Sequence, residues 1–576
     1  MRGTQQRMLG KKLIGMAMVL LNCQIFFRNT PLGGHVMIRG VLMLLVLAHG
    51  AARSDETTSP AAPAIVEHRG LAAERLDEFL RSLPGSGEIV QSLSSRLSRG
   101  QQVFDVGVTE NPDGAAWMVH VNLSKQEFEK KQAEYAADGF ELICEQGQGT
   151  GRTRLYLGVW KQRESIAEDL SVPQGPLPIH GELGRNMEPL NTLIQDVLRE
   201  GRLPGAVIAV AKKDQLVYER SFGYADVDLA TAMKPDSVMR IASLSKPLTA
   251  VAILLLIQED RLTLDSPLLP ILARHSEDFD TQRAIAKDER WGQVTIRHLL
   301  QHTAGFDREA SGDTMFELIR IGEALELRRN IRLPDVIRYQ LMQPLDFEPG
   351  SRFCYSNIGY CLLGRVIEVV SGVDYDEFVT QRILTPAGMS KTRLGRTRWK
   401  DRADDEVRYH TQTRRKMPLV MNIVNRQRSR EIEMVEAPYG QWDLELMDAH
   451  GGWTSTAADL VKFLIALEST SAALLHAQGV TGMQVQPGLE SDQQAAVWYG
   501  LGWNIRALPG RSGRNYWHTG LLSGTSTLLV HRWDDCSWAV LFNCDRTSDG
   551  RTASEVIDGP LHAAVSESLT ATGQTP

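Results

Sequence analysis

Ser243-Leu244-Ser245-Lys246-Pro247-Leu248-Thr249-Ala250-Val251-Ala252-Ile253-Leu254-Leu255-Leu256-Ile257 joins two signals in one stretch. The apolar run Pro247–Ile257 reads as a helix, with Pro247 in the first turn, where its missing N–H costs little. Residues three apart share a helix face, so Lys246 reaches the oxygen of Ser243. A serine hydroxyl is a weak nucleophile until a neighbouring base takes its proton. A lysine in a partly desolvated pocket, near other cations, can lose its charge and act as that base. The N–H groups opening the helix favour an anion developing there. Ser245 is a rival by position, but only Ser243 has a lysine three residues later. Ser-x-x-Lys also recurs by chance, so its weight depends on what surrounds it.

Outward from this stretch the chain alternates in type. A helix is predicted over Met187–Glu200, with Leu190, Leu193, Ile194 and Leu198 on one face. Two strands follow, Ala206–Lys212 and Leu216–Tyr224, joined at Lys213-Asp214. A long helical stretch occupies about 243–395, and the polar segment from Lys400 to about Gln441 reads as a long loop over or beside the site. Strands return at Thr525–Arg532 and Ser537–Asn543, and a last helix spans about Ala553–Leu569. This order is that of an α/β sandwich with an all-α subdomain inserted in it.

Two further triplets fall in this frame. Tyr355-Ser356-Asn357 precedes a helix, and His518-Thr519-Gly520 precedes a strand. With Ser243-x-x-Lys246, their order and spacing resemble the three active-site motifs of the class C β-lactamase and D-alanyl-D-alanine carboxypeptidase family, which also contains esterases. Thr295–Phe306, Gly451–Asp459 and Tyr499-Gly500-Leu501-Gly502-Trp503 are similar to other segments of that family, and the resemblance covers about 190–570. It implies a β-lactamase-like α/β/α sandwich with an antiparallel sheet.

It also implies roles. Ser243 would attack a carbonyl carbon, and Lys246 and Tyr355 would share general-base and general-acid duties, in an order the sequence leaves open. Asn357 would orient the substrate amide and Lys246. The N–H groups of Ser243 and Leu521 would form the oxyanion hole. His518, with Thr519 and Gly520, would bind substrate. A histidine at 518 replaces the lysine usual in the β-lactamases, as in carboxypeptidases and esterases, and leaves a weaker positive charge at neutral pH. Lys246 and a protonated His518 would supply the field that brings Tyr355 toward neutral pH. The expected function is hydrolysis of an amide or ester through a serine acyl-enzyme. β-Lactamase activity, or ligand binding without catalysis, is the alternative.

At 576 residues two or more domains are expected. Residues 64–165 read as a small α+β repeat domain. Leu71, Leu76, Leu83, Gly87 and Phe104 recur as Leu123, Phe128, Tyr135, Gly139 and Tyr156 at a constant offset of 52. Each copy reads as an amphipathic helix, a glycine turn and two strands. The second copy is similar to a bacterial tandem repeat found before some polyglycine hydrolases. Residues 166–186 read as a linker into a hydrolase domain over 187–570.

Residues 1–54 hold no Asp or Glu. Their apolar stretch Val41–Leu47 lies between Arg39 and the small residues Ala48, Gly50, Ala51 and Ala52, which is the pattern of an export signal. Residues 55–63 read as a linker. The protein is expected to be exported, touching membrane only through an uncleaved leader. A net charge of -7 gives no electrostatic reason to expect nucleic acid. No paired Cys-x-x-Cys or His-Glu-x-x-His pattern occurs, so neither metal nor cofactor is expected. The partner is a small-molecule or peptide substrate, cell-wall peptide included. Six cysteines in so long a chain read as free thiols.

Overall fold

The computed structural model describes residues 65–570 apart from 74, 77–78, 81–82, 84–87, 99–100, 111–116, 138–139, 149–153, 163–167, 276, 328, 415, 421–432, 470–473, 490–494 and 509–512. The leader at 1–54, the linker at 55–63 and the repeat glycines Gly87 and Gly139 lie outside the described residues.

The first repeat copy runs β1 (Val66–Ala72), a helix ending at Leu83, β2 (Glu88–Ser98) and β3 (Gln101–Glu110). The second runs β4 (Trp117–Leu123), α1 (Lys125–Ala137), β5 (Phe140–Gln148) and β6 (Leu155–Gln162). Both sheets are antiparallel with the same order, β1-β3-β2 and β4-β6-β5. Each copy thus opens with a strand beyond the helix and two strands read from the sequence. The repeated apolar positions explain the symmetry: Leu76 and Leu83 in the first copy and their counterparts Phe128 and Tyr135 on α1 of the second are all buried. Leu157 and Val159 of the second copy pack into the first copy's core. Ser95 N–H donates to Gln146 Oε1 at 2.6 Å across the seam.

Residues 166–186 are not a free linker. Glu168–Asp169 pairs with Thr413–Arg414, and Ile179–His180 pairs with Phe222 and Ser221. Leu170 is buried in a core cluster of the following domain, where Val172, Leu177, Ile179 and Leu183 also pack. A few apolar residues between prolines carry no periodicity, so tertiary burial decides their place.

The second domain proper begins with α2 (Glu188–Gly201), β7 (Gly205–Lys212) and β8 (Gln215–Asp226), followed by β9 (Thr231–Ala232). The helical part holds α3 (Ser245–Gln258) and α4 (Asn357–Ser371), then α5 (Asp448–Gly451) and α6 (Ala457–Glu468). The stretch read as helical over 243–395 is broken into several short helices and turns, among them Leu268–Leu272, Thr281–Lys287 and Ile296–Leu300. The chain closes with β10 (Val497–Tyr499), β11 (Asn504–Ala507), β12 (Arg514–Leu522), β13 (Thr525–His531), β14 (Cys536–Phe542) and α7 (Ala553–Thr570).

These strands form one antiparallel sheet in the order β9-β8-β7-β14-β13-β12-β11-β10. Its two innermost strands, β7 and β14, are apolar at nearly every position because both faces are covered. Val207, Ala209 and Ala211 face a core with α3 and the helical subdomain. Ala206, Ile208 and Val210 face a core under α2 and α7. The result is the expected three-layer sandwich.

The segment read as a loop over 400–441 is fastened down where it is described. Arg240, fully buried, donates to the carbonyls of Pro438, Arg396 and Thr397, and its guanidinium lies 4.4 Å from the Tyr409 ring centroid. Its net charge faces Glu406 at 3.8 Å. Cys144, Cys354, Cys361, Cys536 and Cys544 are free thiols.

Candidate active site

A short 3-10 turn, Ala242–Leu244, leads into α3 and leaves Ser243 partly exposed. Ser245 is fully buried: its hydroxyl donates to Ala242 O at 2.7 Å and accepts from Trp453 N–H at 3.3 Å. It braces the turn and has no free face. Ala242 adopts φ +50°, which turns the chain sharply before Ser243.

Lys246 is 0% exposed. Its Nζ lies 3.1 Å from Ser243 Oγ, 2.8 Å from Asn357 Oδ1 and 2.9 Å from His450 O. Burial pulls its pKa down to about 7, with Arg308 in the same sense and Asp313 opposing. A buried amine of that affinity can be neutral near pH 7 and accept a proton.

Tyr355 precedes α4, whose N-cap Ser356 accepts from Gly359 N–H. His302 holds the backbone on both sides of it: its carbonyl accepts from Cys354 N–H at 2.8 Å and its Nδ1 from Ser356 N–H at 3.1 Å. The two rings stand 4.3 Å apart, centroid to centroid. Burial raises the Tyr355 pKa well above that of an ordinary phenol, against the pull of Ser243 and Arg308. It is therefore a phenol at neutral pH, able to donate or relay a proton.

Gly520 brings β12 against the Ser243 turn. A Cβ there would stand 2.3 Å from Ile241 O and 2.2 Å from Thr527 Oγ1. Thr527 Oγ1 donates to Ile241 O at 3.0 Å. The backbones at 241–242 and 520 thus run side by side, and the next residue of each is Ser243 and Leu521. β11 pairs with β12 only as far as Trp517, so His518–Leu522 has no strand on that side among the described residues.

His518 departs from expectation. It is buried, with Nδ1 donating to Thr519 O at 2.7 Å and Nε2 accepting from Tyr499 OH at 2.9 Å. Burial, with the charge of Lys246, lowers its pKa to about 3. The imidazole is neutral and both nitrogens are occupied. It cannot be the protonated partner that lowers the Tyr355 pKa, nor a cation for a substrate carboxylate. Thr519, beside it, is the exposed residue of the pair.

A family model described as Beta-lactamase matches residues 190–559. The chain belongs to the beta-lactamase family. A second model, a polyglycine hydrolase-like structural repeat, matches residues 114–163, the second repeat copy. Penicillin-binding protein 4* of Bacillus subtilis is 27% identical over 375 residues, 65% of this chain and 75% of that one. Esterase EstB of Burkholderia gladioli is 33% identical over 203 residues, 35% of this chain and 49% of that one. Protein flp of Staphylococcus aureus is 30% identical over 219 residues, so the chain spans 40% of the length of that relative. Among solved structures, EstCE1, described as a hydrolase with promiscuous acyltransferase activity, has a TM-score of 0.50 at 20% identity and covers 66% of this chain and 98% of its own.

The family is one of serine hydrolases, to which the penicillin-binding protein and the esterase above belong. Ser243, Lys246, Tyr355 and Asn357 converge, with Gly520 and Leu521 alongside. Sequence reading missed His302, Asp313, Arg308 and His450. His302 falls in a segment already similar to the family, but its task is to hold backbone, which leaves no side-chain pattern. Asp313 caps the short turn Thr314–Phe316 and reads as an ordinary loop acid.

Proposed function

We propose that this protein is an exported hydrolase that cleaves esters or amides through an acyl-enzyme on Ser243. The observation that carries the reading is the buried Lys246 Nζ, 3.1 Å from Ser243 Oγ, with a pKa of about 7. Neutral Lys246 takes the hydroxyl proton as the oxygen attacks the substrate carbonyl. Tyr355 passes a proton to the leaving group, and water then releases the acyl group by the reverse route. The N–H groups of Ser243 and Leu521 receive the oxyanion. Assigning Lys246 as first base rests on its accessible unprotonated amine; Tyr355, with its pKa raised by burial, offers no accessible phenolate.

The substrate reading follows from charge and surface. A substrate carboxylate would meet no protonated imidazole at His518. Phe316, Leu521 and Phe353 stay 41%, 42% and 45% exposed. Phe316 stacks edge-on to Trp442, which packs with Ala242 and Leu522 beside the Ser243 turn. An apolar flank on the scissile bond fits these walls. Small esters and peptides, cell-wall peptide among them, come before β-lactams in this order. No helix among the described residues is long and apolar enough to cross a membrane, so any membrane contact is assigned to the leader.

Intact-mass spectrometry after incubation with a fluorophosphonate, and separately with a labelled penicillin, tests this. One fluorophosphonate adduct on Ser243 is expected, with penicillin slower or absent. No adduct from the fluorophosphonate overturns the proposal.

A further inference from the structure

Neutral Lys246 has two N–H bonds and one lone pair, and three neighbours compete for them. His450 O can only accept, at 2.9 Å. Asn357 presents Oδ1, also an acceptor, at 2.8 Å. With both N–H bonds committed to those oxygens, the lone pair is left for Ser243. The arrangement depends on which way the Asn357 amide points. Its Nδ2 donates to Asp313 Oδ2 at 2.7 Å, and Asp313 Oδ1 accepts from Met315 N–H at 3.2 Å. A flipped amide would set oxygen against carboxylate and aim N–H bonds at Lys246, occupying the lone pair.

We infer that Asp313 is a positioning residue for acylation: its carboxylate permits one orientation of Asn357 and thereby aims the Lys246 lone pair at Ser243. The inference rests on the acyl-enzyme reading of Ser243 and Lys246. Asp313 also faces Lys246 as an anion. The other titratable and charged groups around the amine are Arg308, from the same segment, the phenols Tyr355 and Tyr360, and the imidazoles His302, His450 and His518. Burial above all keeps the three imidazoles neutral. Asp313 is the carboxylate of the group; burial raises its own pKa, and the hydrogen bonds from Asn357 and the Met315 N–H, with the charge of Lys246, pull the other way. Removing it lowers the proton affinity of Lys246, so the acid limb of the rate profile moves to lower pH.

The test uses the full chain and the rate of fluorophosphonate labelling, read by intact mass from about pH 5 to about pH 9. Asp313→Asn keeps the shape and lets Asn357 adopt either orientation. Its plateau rate is expected to fall about tenfold or more, and its acid limb to move down. Asp313→Ser, which can still cap Met315, serves if the first variant melts early. In a double-mutant cycle, Asp313→Asn with Asn357→Ala is expected to be no slower than Asn357→Ala alone, because Asp313 acts through Asn357. An unchanged plateau and limb, or additive losses in the cycle, overturn the inference while labelled wild type leaves the acyl-enzyme reading standing. A wild type that never labels rejects that reading and this inference with it.

Discussion

Ser243 and Ser245 lie two residues apart and do opposite things with the same hydroxyl. Ser243→Ala is expected to abolish labelling and turnover. Ser245→Ala is expected to keep labelling at Ser243 but melt earlier, since it strands the buried Trp453 N–H at a cost of about 1–3 kcal/mol. Peptide mapping of the adduct together with thermal melts separates the two. At Tyr355 only the hydroxyl matters to chemistry, because its ring is held by His302. Tyr355→Phe should slow acylation at least about a hundredfold and leave binding of an unreactive analogue in place. Equal single-turnover rates would remove Tyr355 from the mechanism. The pH profile follows Lys246: its neutral form is the active one, so kcat/KM should fall as pH drops through about 7, and Asp and His variants distant from it should leave that limb alone. Ser243, Lys246, Tyr355 and Asn357 were legible in the sequence because their spacing within motifs is covalent. The neutrality of His518 was not, since it comes chiefly from burial, which tertiary packing decides.

Among the elements, β7, β13, β14 and α7 were legible to within a residue or two: β7 and β14 are almost wholly apolar, and β13 carries β-branched residues and leucines throughout most of its length. The first strand of each repeat copy, which lies outside the helix-turn-strand pattern and is fixed by pairing, was not, nor were the short outer strands β10 and β11. The 400–441 segment carries no pattern of its own; Arg240, far upstream, holds it. Gly520 shows how much one missing atom decides. In Gly520→Ala the new Cβ meets a backbone carbonyl that no rotamer change can clear. The Ser243 turn must then move off β12. Labelling should drop more than about tenfold, with about 1–3 kcal/mol of stability lost to overpacking. Gly559→Ala, within α7 and with open space around its Cβ, should be neutral or stabilising by up to about 1 kcal/mol. Labelling rates and melts of the two variants make the comparison.

For the whole molecule, the repeat region contributes no side chain to the Ser243 cluster among the described residues. Removal of residues 55–165 is expected to leave turnover of a small ester largely intact. Extending the deletion to 186 should instead lower the melting temperature, because it strips Leu170 and the Ile179–His180 strand from the hydrolase core. Equal melts for the two truncations would show that 166–186 is a linker after all. A folded first truncation without esterase activity would show that the repeats complete the site.

The adjacency of β7 and β14 also bears on how this chain is made. Lys212 and Cys536, neighbours in the sheet, are 324 residues apart along the chain. At about 5–20 residues per second, a ribosome leaves the inner edge of β7 without its partner for about 15–60 s. During that time a strand of Val, Ile and Ala with unpaired N–H and C=O groups is an open template for other chains. Synthesis of this chain therefore depends on whatever shields the nascent strand until β14 has emerged, and a stop codon anywhere before β14 is expected to yield a product that aggregates rather than a shortened domain.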